Sequence, residues 1–403
     1  MHATLAQAKA ARWAIAAMFF ANGFVMGAWA PQIPLLLPRH DITESTLGLL
    51  ILVLGLGAVG SMLFAGRLIS RFGGRRVLSV FSLALIPVLP AVVFSPDLGA
   101  LALFMAVFGA MAGCMDVAMN NQAVDIERRL DRAIMSSSHG FWSLGGFVGG
   151  FAGSFVIAQW GSEVQSLLTA AITAAIVFSA MPFLLPDSPR VKPTAAQAAA
   201  PKQHLLPRDL SVWLLGFMAL ASMVPEGAVL DWAAIYLQKE LGSDVFRSGL
   251  AFAFFAGAMA IMRFAGDAVR NRFGAVRTLR ASGLIGAAGL MGGALAPADW
   301  IAIVSFAFAG LGIANMVPIL FSAAGNHPRL PSAMAISTVT MVGYCGILVA
   351  PSSIGFVAEH VGFSSTYAAL SLLLVVVSLL AGRTADADRT SAVIPLQAAS
   401  TAN

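Results

Sequence analysis

Gly66-Arg67-Leu68-Ile69-Ser70-Arg71-Phe72-Gly73-Gly74-Arg75-Arg76 joins two long apolar blocks, residues 47–69 and 77–95, and part of it returns later as Arg272-Phe273-Gly274. Glycines let a chain reverse in little space, and arginines hold such a loop at the aqueous side of a lipid surface. Each flanking block is long enough to cross about 30 Å of hydrocarbon at ~1.5 Å rise per residue. The same kind of block recurs at 13–37, 99–122, 135–159, 165–185, 211–237, 247–269, 277–297, 299–324, 332–357 and 364–382, giving twelve spans.

Composition agrees with an all-α membrane protein. The chain has 403 residues, 58% hydrophobic and 11% charged, with a mean hydropathy of +0.83, whereas a soluble domain carries about a quarter of its residues charged. The first block follows Lys9 and Arg12 but is too long for a signal peptide, contains Pro31 and Pro34, and lacks a small-residue cleavage site. Cys114 and Cys345 both lie in apolar blocks and read as buried hydrophobes. No metal-spaced Cys/His cluster, P-loop or nucleophile elbow is present in the sequence, so no enzyme activity and no cofactor is expected.

Charge sets the orientation. With both termini in the cytoplasm, only Arg39, Lys239 and Arg247 of the 24 Lys+Arg fall outside, and the other 21 are cytoplasmic or on cytoplasmic halves of spans. This is the positive-inside pattern of a bacterial-type inner (plasma) membrane, and it assigns the pI of about 9.7 to anionic lipid headgroups instead of nucleic acid.

Residues 190–207 change to Pro, Ala, Lys and Gln and read as a cytoplasmic linker. It separates an N-terminal six-helix bundle, 1–189, from a C-terminal one, 208–385, with a disordered tail at 386–403. The halves echo one another: Phe64-Ala65-Gly66 with Phe264-Ala265-Gly266, Arg71-Phe72-Gly73 with Arg272-Phe273-Gly274, and Gly27-Ala28 with Gly227-Ala228. Internal duplication with parallel halves around a central path is the expected architecture.

The loop Gly66, Arg71, Gly73, Arg75 and Arg76 resembles the signature of the major facilitator superfamily (MFS), with Ser70 where that family usually carries aspartate. The resemblance covers essentially the whole chain and implies the MFS fold, two pseudo-symmetric six-helix bundles working by alternating access. Asp116-Val117-Ala118-Met119-Asn120 further resembles the fucose-permease-like branch, whose members are proton-coupled sugar symporters. Trp29 and Ala30 stand where that branch carries a second acid.

Charge at the bilayer centre costs ~2.5–3.5 kcal/mol by insertion scales, so the acids within spans are the first candidates. Asp116 and Asn120 share a helix face beside Asn121; they read either as interhelical hydrogen bonding or as a proton-exchange site at Asp116, with Asn120 and Asn121 as cargo contacts. Glu226 follows Pro225 in the seventh span and is the second proton-coupling candidate. Asp231, about 140° further round a helix, reads as a cargo contact or as a gate at a wet outer mouth. His139, continued by Trp142 and Ser143, is either a helix-end cap or a cavity residue. Arg263 and Asp267 read as an i,i+4 pair snorkelling to the cytoplasmic surface, with a cargo contact as the alternative. Further cargo candidates are Asn22, Met26, Trp29 and Gln32 in the first span, Asn315 in the tenth, and Ser337, Thr340 and Tyr344 in the eleventh. Aromatic faces combined with amides suit a sugar, but each of these residues equally suits helix packing. Gly145, Gly146, Gly149, Gly150 and Gly153 form two small-residue stripes for close packing, which can double as a sliding surface.

The expected function is secondary transport of a small polar, sugar-like solute with protons. The alternatives are proton-driven efflux of drugs or metabolites and, from another class, a non-transporting membrane sensor. Partners are the cargo, protons and the lipid bilayer, with the chain acting as a monomer.

Overall fold

Within lipid a backbone must satisfy its own N–H and C=O groups, which makes helix the expected state of every apolar block. The computed structural model describes residues 5–130, 134–186, 207, 209–330 and 332–388, and among these there is no strand. The helices are α1 (Leu5–His40), α2 (Glu44–Phe72), α3 (Gly74–Val93), α4 (Leu98–Leu130), α5 (135–160) and α6 (162–180) in the first half. The second half holds α7 (Leu210–Leu241), α8 (Val245–Phe273), α9 (Ala275–Ala294), α10 (Asp299–Gly325), α11 (Ser332–Val361) and α12 (Phe363–Leu380).

Among the described residues ten stretches are long and apolar enough to cross a membrane. One of them holds both α5 and α6, which meet at Gly161, and α9 adds another crossing with Arg277 and Arg280 near its start, bringing the count to twelve. Proline accounts for two of the irregularities: α1 tightens to a 3-10 turn at Ala30–Gln32 around Pro31, and α3 is interrupted just before Val88 at Pro87.

The duplication is written in the backbone. The described residues with positive φ form three pairs, Asp41 with Gly242, Gly73 with Gly274, and Gly161 with Gly362. Each pair is 201 residues apart (242 − 41, 274 − 73, 362 − 161). The caps that follow keep this register: Thr43 caps α2 by accepting from the Thr46 N–H, and Asp244 caps α8 by accepting from the Arg247 N–H. Even the loop arginines repeat, with Arg71 over the Phe72 ring at 5.3 Å and Arg272 over Phe273 at 5.5 Å.

Both loops are tied to the last helix of their own half. Arg75 donates to the carbonyls of Met181 and Pro182 just after α6, while Arg76 is exposed. In the second half Arg270 donates to the Ala387 carbonyl and pairs with Asp388 at 3.5 Å, and the Ala275 N–H donates to Asp388 at 2.6 Å. Residues 386–388 of the expected disordered tail are therefore ordered, closing a 3-10 segment Ala381–Asp388. The linker apart from Pro207, and residues 389–403, lie outside the described residues.

These loops, the start of α1 and the Ala381–Asp388 segment share one face, here the terminal face; Asp41, Gly161, Gly242 and Gly362 mark the distal face. The halves pack through α5 on α8 and α2 on α11. The second glycine stripe of α5 serves the first of these contacts: Gly146 faces the Ala256 methyl and Gly150 faces Ala253.

An ion pair and a hydrogen bond draw the halves together on the distal side. Lys239 of α7 bonds Glu44 at the start of α2, and the Ser45 N–H donates to Glu359 of α11 at 3.2 Å. Gly48 lies against Ser352, and Gly355 against Trp232 and the Glu44 carbonyl. Toward the terminal face α4 has no packed interface with α10 or α11 among the described residues, and a side chain at Gly60 or Gly66 would meet open space. Among the described residues the halves are shut distally and open toward the terminal face.

A half-exposed ion pair contributes about 1 kcal/mol or less. Lys239→Met, in a background with Cys114 and Cys345 replaced by serine, is therefore expected to raise labelling of an Ile354→Cys reporter by an impermeant maleimide up to about fivefold. An unchanged rate would mean that this pair does not hold the distal closure.

Candidate functional site

Between the halves lies a cavity of about 240 Å³. The first half contributes Met26 and Trp29 of α1, Ile51, Leu54 and Gly55 of α2, and Trp142 of α5. The second contributes the arc of α7 from Met223 to Asp231, Phe252, Ala256 and Met259 of α8, and Ala350, Pro351 and Ile354 of α11.

Glu226 and Asp231 both line this cavity, although α7 runs unbroken through Pro225 and the two acids are about 140° apart. The cavity wraps the helix between them, and Gly227, with nothing within 4 Å of where a Cβ would stand, leaves the room for it. Asp231 is 9% exposed, so it is part of the cavity wall and not a residue of a wet outer mouth.

Arg263 corrects an expectation. It does not belong with the cytoplasmic-surface cations: its guanidinium is mostly buried, pairs with Glu226 at 3.2 Å, and reaches Ser143 Oγ of the opposite half at 2.5 Å. The side chain of Asp267 lies outside the described residues. The depth was computable from the sequence: Arg263 stands 11 residues before Gly274, about 16 Å along a helix, or half the hydrocarbon thickness.

A second polar cluster sits on the open side. Asn120 of α4 donates to Asp116 Oδ1 at 3.2 Å, and its Oδ1 meets His139 Nε2 of α5 at 3.2 Å. The His139 ring packs edge-on against Phe19 of α1. Tyr344, on α11 of the other half, lies within electrostatic reach of both Asp116 and Glu226, which puts Asp116 on the side of α4 toward the second half. Asn121 turns away from this cluster and is exposed.

The remaining amides do not line the cavity. Asn22 is buried, accepting from Trp142 Nε1 at 2.9 Å, so it orients an aromatic wall residue from behind. Gln32 is fully buried at the distal end, donating to the Ser162 carbonyl and to Gln165, which in turn donates to the Ala28 carbonyl; it clamps α1 to α6. Asn315 sits where α10 breaks, under the Gly266 backbone of α8, and donates to the Met262 carbonyl at 3.1 Å. Thr340 is half-buried on α11, and the side chain of Ser337 lies outside the described residues. Cys114 is buried as expected, whereas Cys345 is exposed. Sequence reading missed the apolar wall formed by Met223, Phe252 and Met259, because nothing distinguishes such residues from those facing lipid.

Two bundles of six helices related by duplication, with a shared cavity closed on one side and open on the other, define a membrane transporter. A model of the Major Facilitator Superfamily matches residues 15–334, and the chain belongs to that family. An uncharacterized MFS-type transporter of Yersinia pestis is 35% identical over 366 residues, covering 89% of this chain and 92% of the relative. The crystal structure of a D-xylose-proton symporter shares the fold with a TM-score of 0.73 at 16% identity, covering 92% of this chain and 96% of that one. The nucleoside transporter NupG does so with a TM-score of 0.68 at 12% identity, covering 93% and 98%.

Proposed function

We propose that this transporter carries a small amphipathic organic solute by alternating access and couples its movement to protons through Asp116. The observation that carries the coupling is the setting of Asp116. It lies on the side of α4 toward the second half, bonds Asn120, and has no ion-pair partner among the described residues. A carboxylate there must be neutral to pass through a closed, low-dielectric intermediate, so proton uptake and the rocking of the halves favour one another. Asn120 and His139 hold its orientation, while Glu226, tied to Arg263, acts as a fixed charge in place of the second proton carrier expected from sequence.

The lining argues for the cargo. A sugar needs hydrogen-bond partners around its whole rim, yet this wall is largely methionine, aliphatic and aromatic, with polar atoms confined to Trp29, Trp142, Glu226 and Asp231. This favours a metabolite or drug-like solute over the sugar expected from the likeness of the fourth span. The arginine-rich terminal face is cytoplasmic under the positive-inside rule, in a bacterial inner membrane, and a single chain completes the cavity.

The test begins with a thermal-shift screen of purified protein against sugars, polyols, amino acids, aryl acids and aryl-ammonium compounds at two pH values. Reconstituted protein is then assayed with the hits. Asp116→Asn is expected to abolish accumulation driven by a pH gradient, a loss of about tenfold or more, while counterflow exchange persists, because a neutral side chain no longer gates the transition. Wild-type accumulation in the variant would refute the coupling role.

A further inference from the structure

We propose that the cargo is an organic cation and that Asp231 is its counter-ion. This rests on reading the central cavity as the cargo site.

Asp231 is 9% exposed, lines the cavity, and forms no hydrogen bond or ion pair among the described residues. Every other charged group near it is committed. Glu226 is neutralised by Arg263, whose second arm is held by Ser143. Lys239, two turns toward the distal face, is bound to Glu44. Glu240 accepts from the N–H groups of Phe363 and Ser364 at the start of α12. The Tyr367 hydroxyl, close enough to feel the Asp231 charge, donates instead to the Ala228 carbonyl at 2.7 Å. With Glu226 and Arg263 paired, Asp231 is the acid of the cavity wall that has no cation beside it among the described residues.

A buried carboxylate without a partner is costly, and burying an anion beside it would be costlier still. A cation arriving with the cargo removes that cost. The rest of the wall suits one: Trp29, Trp142 and Phe252 bring aromatic rings to the lining, the residue type that attracts an ammonium group, and Met26, Met223 and Met259 adapt to an apolar body of varying shape. At about 240 Å³ the cavity lies just below the ~300–1,000 Å³ usual for ligand pockets, which selects small molecules.

The experiment compares equilibrium binding of trimethyl(2-phenylethyl)ammonium and its neutral carbon isostere, (3,3-dimethylbutyl)benzene, to the full-length protein in nanodiscs. The quaternary ammonium cannot lose a proton, so the result is independent of whether Asp116 couples transport. The cation is expected to bind at least about tenfold more tightly than the isostere. Asp231→Asn is expected to erase that preference, and Asp231→Glu to retain part of it. Equal affinity of the two probes, binding of neither, or an undiminished preference in Asp231→Asn would overturn the proposal. The wild-type comparison decides even if Asp231→Asn fails to fold. A negative result alongside intact proton-driven transport of another solute would remove the cation assignment and leave the carrier reading standing.

Discussion

Arg263→Met is expected to destabilise the protein by about 3–5 kcal/mol, because it strands Glu226 in the membrane interior without its cation. The pair lies at 3.2 Å with side chains only 15% and 27% exposed, so water replaces little of the lost interaction. The decisive measurement is the double variant. Arg263→Met with Glu226→Gln removes both charges and is expected to recover much of the apparent melting temperature and monodisperse yield lost in the single variant. If Arg263→Met alone melts like the wild type, the pair is structurally idle. Arg263→Lys separates structure from function: an ammonium can still neutralise Glu226 but cannot fork to Ser143 across the halves. It is expected to fold normally and to exchange cargo at an altered rate.

The second large effect concerns a single methyl group placed on either of two adjacent glycines. An alanine Cβ at Gly145 would stand 2.2 Å from the Phe20 carbonyl oxygen, part of the rigid backbone of α1, and Gly149 meets the Phe24 carbonyl at the same distance. One residue on, a Cβ at Gly146 would stand 3.3 Å from the Ala256 methyl, and one at Gly150 would stand 3.1 Å from that of Ala253. One stripe cements α5 to α1 within a half, while the other is a looser surface between halves. Gly145→Ala is expected to cost about 1–3 kcal/mol through overpacking and to lower folded yield. Gly146→Ala is expected to fold within about 0.5 kcal/mol of wild type and instead to change the rate of cargo counterflow, since its contact must slide when the halves rock. Equal loss of yield from both substitutions would show that the two stripes do the same job.

The fold was legible because its signals are local and repeated. Block length fixed the spans, and glycine at Gly73 and Gly274 fixed the reversals; both are properties a chain carries without knowing its neighbours. The acids Asp116, Glu226 and Asp231 were legible too, since charge within a span always needs a reason. Their partners were not. Arg263 reads as a surface cation when charges are counted by side alone; its distance from Gly274 gives its depth but not its partner. In sequence Gln32 and Asn315 suit cargo contact and helix packing alike, because an amide in a span satisfies itself equally well in a cavity or against a neighbouring helix; the structure places both against helices.

The 201-residue register shows where the division falls. It pairs Asp116 with Val317, Glu226 with Val25, Asp231 with Ala30 and Arg263 with Met62, so the scaffold is duplicated and the chemistry is not. Sequence alone established the membrane class, the twelve crossings, the two halves and the buried acids, because lipid imposes length and polarity rules on each segment separately. Which apolar faces meet across the cavity, and which charges neutralise one another there, was set only in three dimensions. Lipid and protein interior are both apolar, and hydropathy along the chain cannot tell them apart.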